Sequence, residues 1–69
     1  MQLSARNQLN ATVEAVNLGE VMATVRVTLP DGQKITAAIT KEATTELGFA
    51  AGDQVKVVIK ATEVMLAKE

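Results

Sequence analysis

The stretch from Glu20 to Gly32, EVMATVRVTLPDG, alternates without a break: Val21, Ala23, Val25, Val27 and Leu29 fall on one face, and Glu20, Met22, Thr24, Arg26 and Thr28 on the other. A period of two is that of a β-strand with one buried face. The strand is closed by Pro30, whose ring presets φ, and by Asp31 and Gly32, which suit a tight turn. Upstream the same alternation places Leu9, Ala11, Val13 and Ala15 opposite Gln8, Asn10, Thr12 and Glu14, and Asn17, Leu18 and Gly19 then join the two runs as a hairpin. Downstream, Ile35, Ala37 and Ile39 mark a third strand.

Between Thr40 and Gly48 the period changes. Thr40 suits an N-cap, Glu42 favours the positive end of a helix, Ala43, Glu46 and Leu47 suit a short helix, and Gly48 suits its C-terminal stop. A turn at Ala51, Gly52 and Asp53 leads to a strand with Val55, Val57 and Ile59 inward, and a last strand has Val64 and Leu66 inward. Five short antiparallel strands with one short helix before the fourth predict an all-β fold, a five-stranded Greek-key barrel of the OB type. No repeat, linker or low-complexity segment interrupts it, so residues 1–69 are expected to form a single domain. The segment from Met1 to Asn7 lies outside the simple pattern and is expected to run as an arm onto a neighbouring subunit.

With 69 residues, 48% of them hydrophobic and 22% charged, the composition is globular. A chain of this length buries only about 60% of the surface its unfolded form exposes, so its core alone gives a thin margin of stability. Disulfides are excluded by the absence of cysteine, and the absence of histidine removes a common zinc ligand; oligomerisation is left as the stabiliser. Apolar Met22, Val58 and Met65 on nominally outer faces point to cover by another subunit. The same absences leave no Ser-His or Cys-His pair and no group that titrates near neutrality unperturbed, so no enzyme is expected. Seven basic residues against eight acidic ones, with Phe49 the sole aromatic, argue against nucleic acid. No membrane span and no signal peptide are legible, which leads to the expectation of a cytoplasmic protein.

Among the polar residues, Ser4 with Arg6, Thr36 with Thr40, and Lys60 with Thr62 each share a face of an extended segment. All six donate hydrogen bonds, and fixed charge combined with hydroxyl donors is what a tetrahedral oxyanion, acceptor-only, requires. Helix amides after Thr40 would add donors. A site of donors without carboxylate acceptors favours a fully deprotonated anion over phosphate, which keeps a proton near neutrality. Each residue also has a plainer reading: Thr40 as a helix cap, Lys60 as a solvated lysine, Arg6 as an intersubunit salt-bridge partner. Pattern alone leaves both open.

Three stretches together resemble the molbindins, the Mop-type molybdate-binding proteins, whose domain also occurs within the TOBE group. They are Ser4-Ala5-Arg6-Asn7-Gln8-Leu9, then Ala38-Ile39-Thr40 before the short helix, then Ile59-Lys60-Ala61-Thr62 followed by Val64-Met65. The resemblance runs essentially end to end. It implies a homohexamer, a trimer of dimers with exchanged N-terminal strands, that binds molybdate or tungstate at subunit interfaces and needs no catalytic cofactor. One kind of site would place Ser4, Ala5 and Arg6 of one subunit against Thr40, Lys60 and Ala61 of another, with Thr62 adjacent. A second, near the threefold axis, would use mainly main-chain groups at Leu18, Gly19, Glu20 and Val21. Where many members have serine three residues after the site threonine, this chain has Ala43, which removes one hydroxyl donor. The function implied is molybdenum storage or homeostasis in the cytoplasm, without catalysis. The alternative is an anion-sensing regulatory module that acts on a partner in trans.

Overall fold

Alternating residues build three successive strands here, β1 Asn7–Leu18, β2 Met22–Thr28 and β3 Lys34–Thr40; they are followed by the helix α1 Lys41–Leu47, the strand β4 Gln54–Ile59 and a 3-10 turn Ala61–Glu63. The structure, a computed structural model, describes residues 5–69. All pairings are antiparallel in the order β3-β2-β1-β4. This is the Greek-key order, with β4 returning beside β1 after a connection that carries α1. β1 changes partner along its length: Asn7 to Thr12 pair with β4, and Thr12 to Leu18 pair with β2. Thr12 stands at the handover, opposite both Thr28 and Gln54, and its hydroxyl accepts from Gln54 Nε2 at 3.0 Å. The sheet curls into a half-barrel of OB type.

The inner face is the one the alternation marks. Ala11, Val13, Ala23, Val25 and Val27 are the buried apolar residues, with Leu29, Ile35, Ile39, Phe49, Val55 and Val57 packed around them. One position departs from expectation. Between Val13 and Ala15 the register shifts by a residue, so that Val13 faces Val27 while Ala15 faces Arg26. A β-bulge at Glu14 reverses the faces beyond it. Val16 instead of Ala15 therefore packs inward, opposite Val25. The main chain at Val13 is held from the other side by the turn before β4: its N–H donates to Asp53 O at 2.9 Å, and its carbonyl accepts from Gly52 N at 2.8 Å. Lys34 braces the bulge through a 2.8 Å ion pair with Glu14. That hydrogen bond holds the Glu14 carboxyl below its ordinary range, with the charges of Lys34 and Arg26 acting the same way.

The fifth strand is absent from the single chain. After β4 the chain takes the 3-10 turn, in which Glu63 N donates to Lys60 O at 2.9 Å, and residues 64–69 make no ladder. A strand exists only with an edge to pair with, and the alternation of Val64 and Leu66 cannot create one. Leu66 is consequently 94% exposed and Met65 92% exposed. The concave face remains open as a groove of about 240 Å³, lined among others by Ile35, Ile39, Leu47, Phe49, Val55 and Val57. Among the described residues no helix is long and apolar enough to cross a membrane.

Candidate functional site

The antiparallel ladder between β1 and β4 ends with Asn7 opposite Ile59. Arg6 and Lys60 are the next residues outward, just beyond this last ladder pair, and both are exposed. Two like charges so placed repel. Among the described residues the one ion pair is Lys34–Glu14, so neither cation is compensated by a carboxylate within 4.0 Å. Lys60 is extended, at φ −66 and ψ 139, and leads directly into the turn that carries Ala61 and Thr62, both exposed. Ala5 is half-buried beside Arg6. Ser4 lies outside the described residues, as do the preceding residues of the expected N-terminal arm. A guanidinium, an ammonium and the Thr62 hydroxyl give this region donors suited to an acceptor-only anion, while the exposed Glu63 carboxylate of the same turn must point away from it.

Thr40 lies elsewhere in the chain. It ends β3 opposite Met22, and Met22 adjoins the Leu18–Ala23 end of β1 and β2. β1 has 12 residues, which at ~3.3 Å each separates its two ends by roughly 36 Å along the strand. Thr40 thus sits beside the second expected group, Leu18, Gly19, Glu20 and Val21, while on the concave side the curl of the sheet lets Ile39, next to Thr40, line one groove with Val57 and Val58 of β4. The bond from Lys41 N to Val21 O at 2.7 Å ties helix and hairpin turn together. The hollow between them, about 510 Å³, is lined by Glu20, Val21, Thr40, Lys41, Glu42 and Glu46 among others. Three carboxylates against one ammonium make this hollow, taken alone, a poor anion cradle; cations from another copy would be needed.

Thr40 does serve as a cap. Its Oγ1 accepts from Ala43 N at 3.1 Å, which leaves its own hydroxyl proton free to donate. Thr44, buried, returns a hydrogen bond to Thr40 O at 2.9 Å, so the residue is held from both sides. Ala43 is half-buried over this cap, where a serine would offer a further hydroxyl. The helix closes at Gly48, whose φ of 66 is the left-handed conformation expected of it.

Two residues matter here for reasons that periodicity does not show. Asn7 donates from Nδ2 to Ile59 O at 3.2 Å, a side-chain clasp just inside the Arg6–Lys60 pair. Its polar side chain at a strand's first residue is the only sequence signal. Gly19 is required by space: its N–H donates to Met22 O at 2.8 Å, and a Cβ there would stand 2.7 Å from that same backbone oxygen. Gly19→Ala must displace main chain to be accommodated, and is expected to cost about 1–3 kcal/mol of stability in chemical denaturation. A variant as stable as the parent would show that the turn opens freely.

The TOBE domain family matches residues 3–66. The chain is 49% identical over 67 residues to the molybdenum-pterin-binding protein MopA of Rhodobacter capsulatus, covering 97% of this chain but 25% of MopA. It is 41% identical to molybdenum-pterin-binding protein 3 of Clostridium pasteurianum, covering 96% of this chain and 97% of that protein. The chain thus spans a quarter of the first relative and nearly the whole of the second. Among solved structures, the molybdate binding protein from Sporomusa ovata superposes with a TM-score of 0.93 at 38% identity, covering 99% of this chain and 100% of that one. The cytoplasmic molybdate-binding protein ModG, in a form with molybdate bound, superposes with a TM-score of 0.84 at 46% identity over 88% of this chain and 43% of that one. By sequence matched nearly end to end and by a shared half-barrel, this chain belongs to the TOBE domain family, as a Mop-type molbindin.

Proposed function

We propose that this chain binds molybdate or tungstate as an intact dianion at subunit interfaces of a homohexamer, a trimer of dimers, and serves to store or buffer molybdenum in the cytoplasm. The observation that carries the reading is the uncompensated Arg6–Lys60 pair beside Thr62 at the end of the β1–β4 ladder. Two fixed cations repel each other until a dianion sits between them, so anion binding removes an unfavourable term as well as adding charge-assisted hydrogen bonds. Ser4, Ala5 and Arg6 of one subunit would face Thr40, Lys60 and Ala61 of another, with Thr62 adjacent. The Leu18–Val21 turn would supply main-chain groups to a second kind of site near the threefold axis. A shared site also supports the hexamer, because the family arrangement takes Arg6 from one subunit and Thr40, Lys60 and Ala61 from another, so each ion needs two copies. In this reading the anion enters and leaves unchanged, and the role is binding without catalysis.

Selectivity follows from donor chemistry. A site that offers donors only is satisfied by an ion with no proton of its own, while protonated phosphate would point an O–H at donors. Native mass spectrometry with molybdate, and with phosphate at equal concentration, tests this: the expected result is a hexamer that carries several molybdates and no phosphate, while sulfate, proton-free but smaller, reports separately on discrimination by size. A monomer or dimer indifferent to molybdate would overturn the reading.

A second reading, an anion-sensing module that acts on a partner in trans, is favoured by one observation. The same unit makes up a quarter of the longer MopA, so the fold works inside larger chains. A partner retained stoichiometrically on the protein only when molybdate is present would support it over storage.

A further inference from the structure

We infer that Thr44 is a positioning residue for the bound oxyanion, its buried hydroxyl fixing the main chain of Thr40 so that the Thr40 hydroxyl is held ready to donate; the inference rests on the oxyanion reading above. Thr44 is the one buried polar residue among the described residues, at 3% exposure, although Thr45 beside it is exposed. Its Oγ1 donates to Thr40 O at 2.9 Å. Thr40 is itself exposed, with extended backbone at φ −65 and ψ 147, at the corner where β3 becomes α1. On the strand side it pairs with Met22, and the next residue, Lys41, donates its N–H to Val21 O at 2.7 Å.

Stability does not explain a threonine at this position. A buried hydroxyl gives up water to make its bond, and a threonine that bonds back to the carbonyl four residues earlier weakens a helix slightly. Valine has the same shape, a similar helix propensity and no hydroxyl to desolvate. Nor does the carbonyl lack a donor, because the oxygen of an N-cap residue already accepts the first helical bond. What the second bond adds is orientation. Thr40 is locked at two atoms, at its carbonyl by Thr44 and at Oγ1 by the N–H of Ala43, 3.1 Å away. With that N–H occupying one side of Oγ1, the hydroxyl proton is directed away from the helix, and Thr40 meets a ligand as a donor, the sense that an acceptor-only ion requires. Ala43 brings no hydroxyl of its own to share this duty. Thr44 touches no anion in this account; it acts through Thr40, and it moves the cost of ordering that residue from the binding step to folding.

Calorimetric titration of the full chain with molybdate, alongside thermal melts of the anion-free protein, tests the inference. Thr44→Val is expected to bind about fivefold more weakly while melting at or above the temperature of the parent, and Thr44→Ser, which keeps the hydroxyl, to bind within about twofold of it. Thr40→Ala, which loses a hydrogen bond to a charged group, is expected to bind roughly tenfold more weakly. In that background Thr44→Val is expected to cost nothing further, since the residue through which it acts is gone. Three results overturn the inference: a Thr44→Val variant that binds as tightly as the parent, a loss that persists undiminished in the Thr40→Ala background, and a Thr44→Val variant that fails to fold or melts well below the parent, which would make the hydroxyl a support of the fold. A parent that takes up no molybdate overturns the oxyanion reading itself, and this inference with it. A parent that binds while Thr44→Val binds equally well overturns this inference alone.

Discussion

Arg6→Ala and Lys60→Ala are each expected to weaken molybdate binding about 10- to 100-fold while leaving the anion-free protein as stable as before. A hydrogen bond to a charged group contributes about 1.5–3 kcal/mol, and each factor of ten corresponds to about 1.4 kcal/mol. Neither side chain supports the fold: both are exposed, and among the described residues neither forms an ion pair. Removing one member of a repelling pair relieves strain at the end of the ladder, so a slight gain in melting temperature is the expected sign. The double variant is expected to lose less than the sum of the single losses, because once one cation is gone the ion no longer sits symmetrically between two. Titration of the three variants at fixed ionic strength measures all of this, and low salt would exaggerate it. If both single variants bind molybdate as tightly as the parent, the Arg6–Lys60 end is not the site.

How far the sequence could foretell this arrangement differs residue by residue. The alternation from Val21 to Leu29 became β2 with Ala23, Val25 and Val27 buried, because a period of two reports directly on which face meets the core. The Thr40 cap and the Gly48 stop were legible for a different reason: each serves an orphan backbone group within one turn of helix, a local requirement. Glu14 shows where such reading fails. Its bulge adds one residue with no glycine or proline to announce it, and only the two flanking strands reveal that Val16, not Ala15, turns inward. The last expected strand failed on a more general ground. Val64 and Leu66 have the right alternation, but a strand is a relation between two edges, and a pattern in one segment says nothing about the other.

The site was legible in its chemistry and not in its geography. Arg6, Lys60 and Thr62 stood out as donors, and the ladder does bring them to one place. Thr40 stood out equally, yet it ends β3, which pairs with β2 and lies two strands from β4 on the far side of β1, a placement that no spacing along the chain expresses. Asn7 was passed over because an asparagine at a strand end resembles any other polar residue until its partner, Ile59 O, is known. What sequence reading lacks is therefore the non-local pairing, and that is the information on which an interface site depends.

Met65→Glu combined with Leu66→Glu is expected to break the assembly into smaller species and to abolish molybdate uptake with it. Among the described residues these two side chains are the most exposed of the large apolar ones, at 92% and 94%, and Val64 beside them is 45% exposed. Opposite them in kind is the open concave groove lined by Ile35, Ile39, Phe49 and Val57, whose apolar walls also face water. Burying a side chain of this size contributes about 1.5–3 kcal/mol, and an assembly of like subunits repeats the gain at every copy, whereas an unpaired carboxylate buried in the same place costs several kcal/mol. Because the monomer's core does not use Met65 or Leu66, far-ultraviolet circular dichroism should be unchanged, which separates loss of assembly from loss of fold. Molybdate uptake should fall in step with assembly, since the proposed site takes Arg6 from one copy and Thr40, Lys60 and Ala61 from another. The variant's mass by native mass spectrometry decides the matter. A double variant that still forms the parent's assembly would place the subunit interface away from the C-terminal segment, and the exposed Met65 and Leu66 would then need a different occupant.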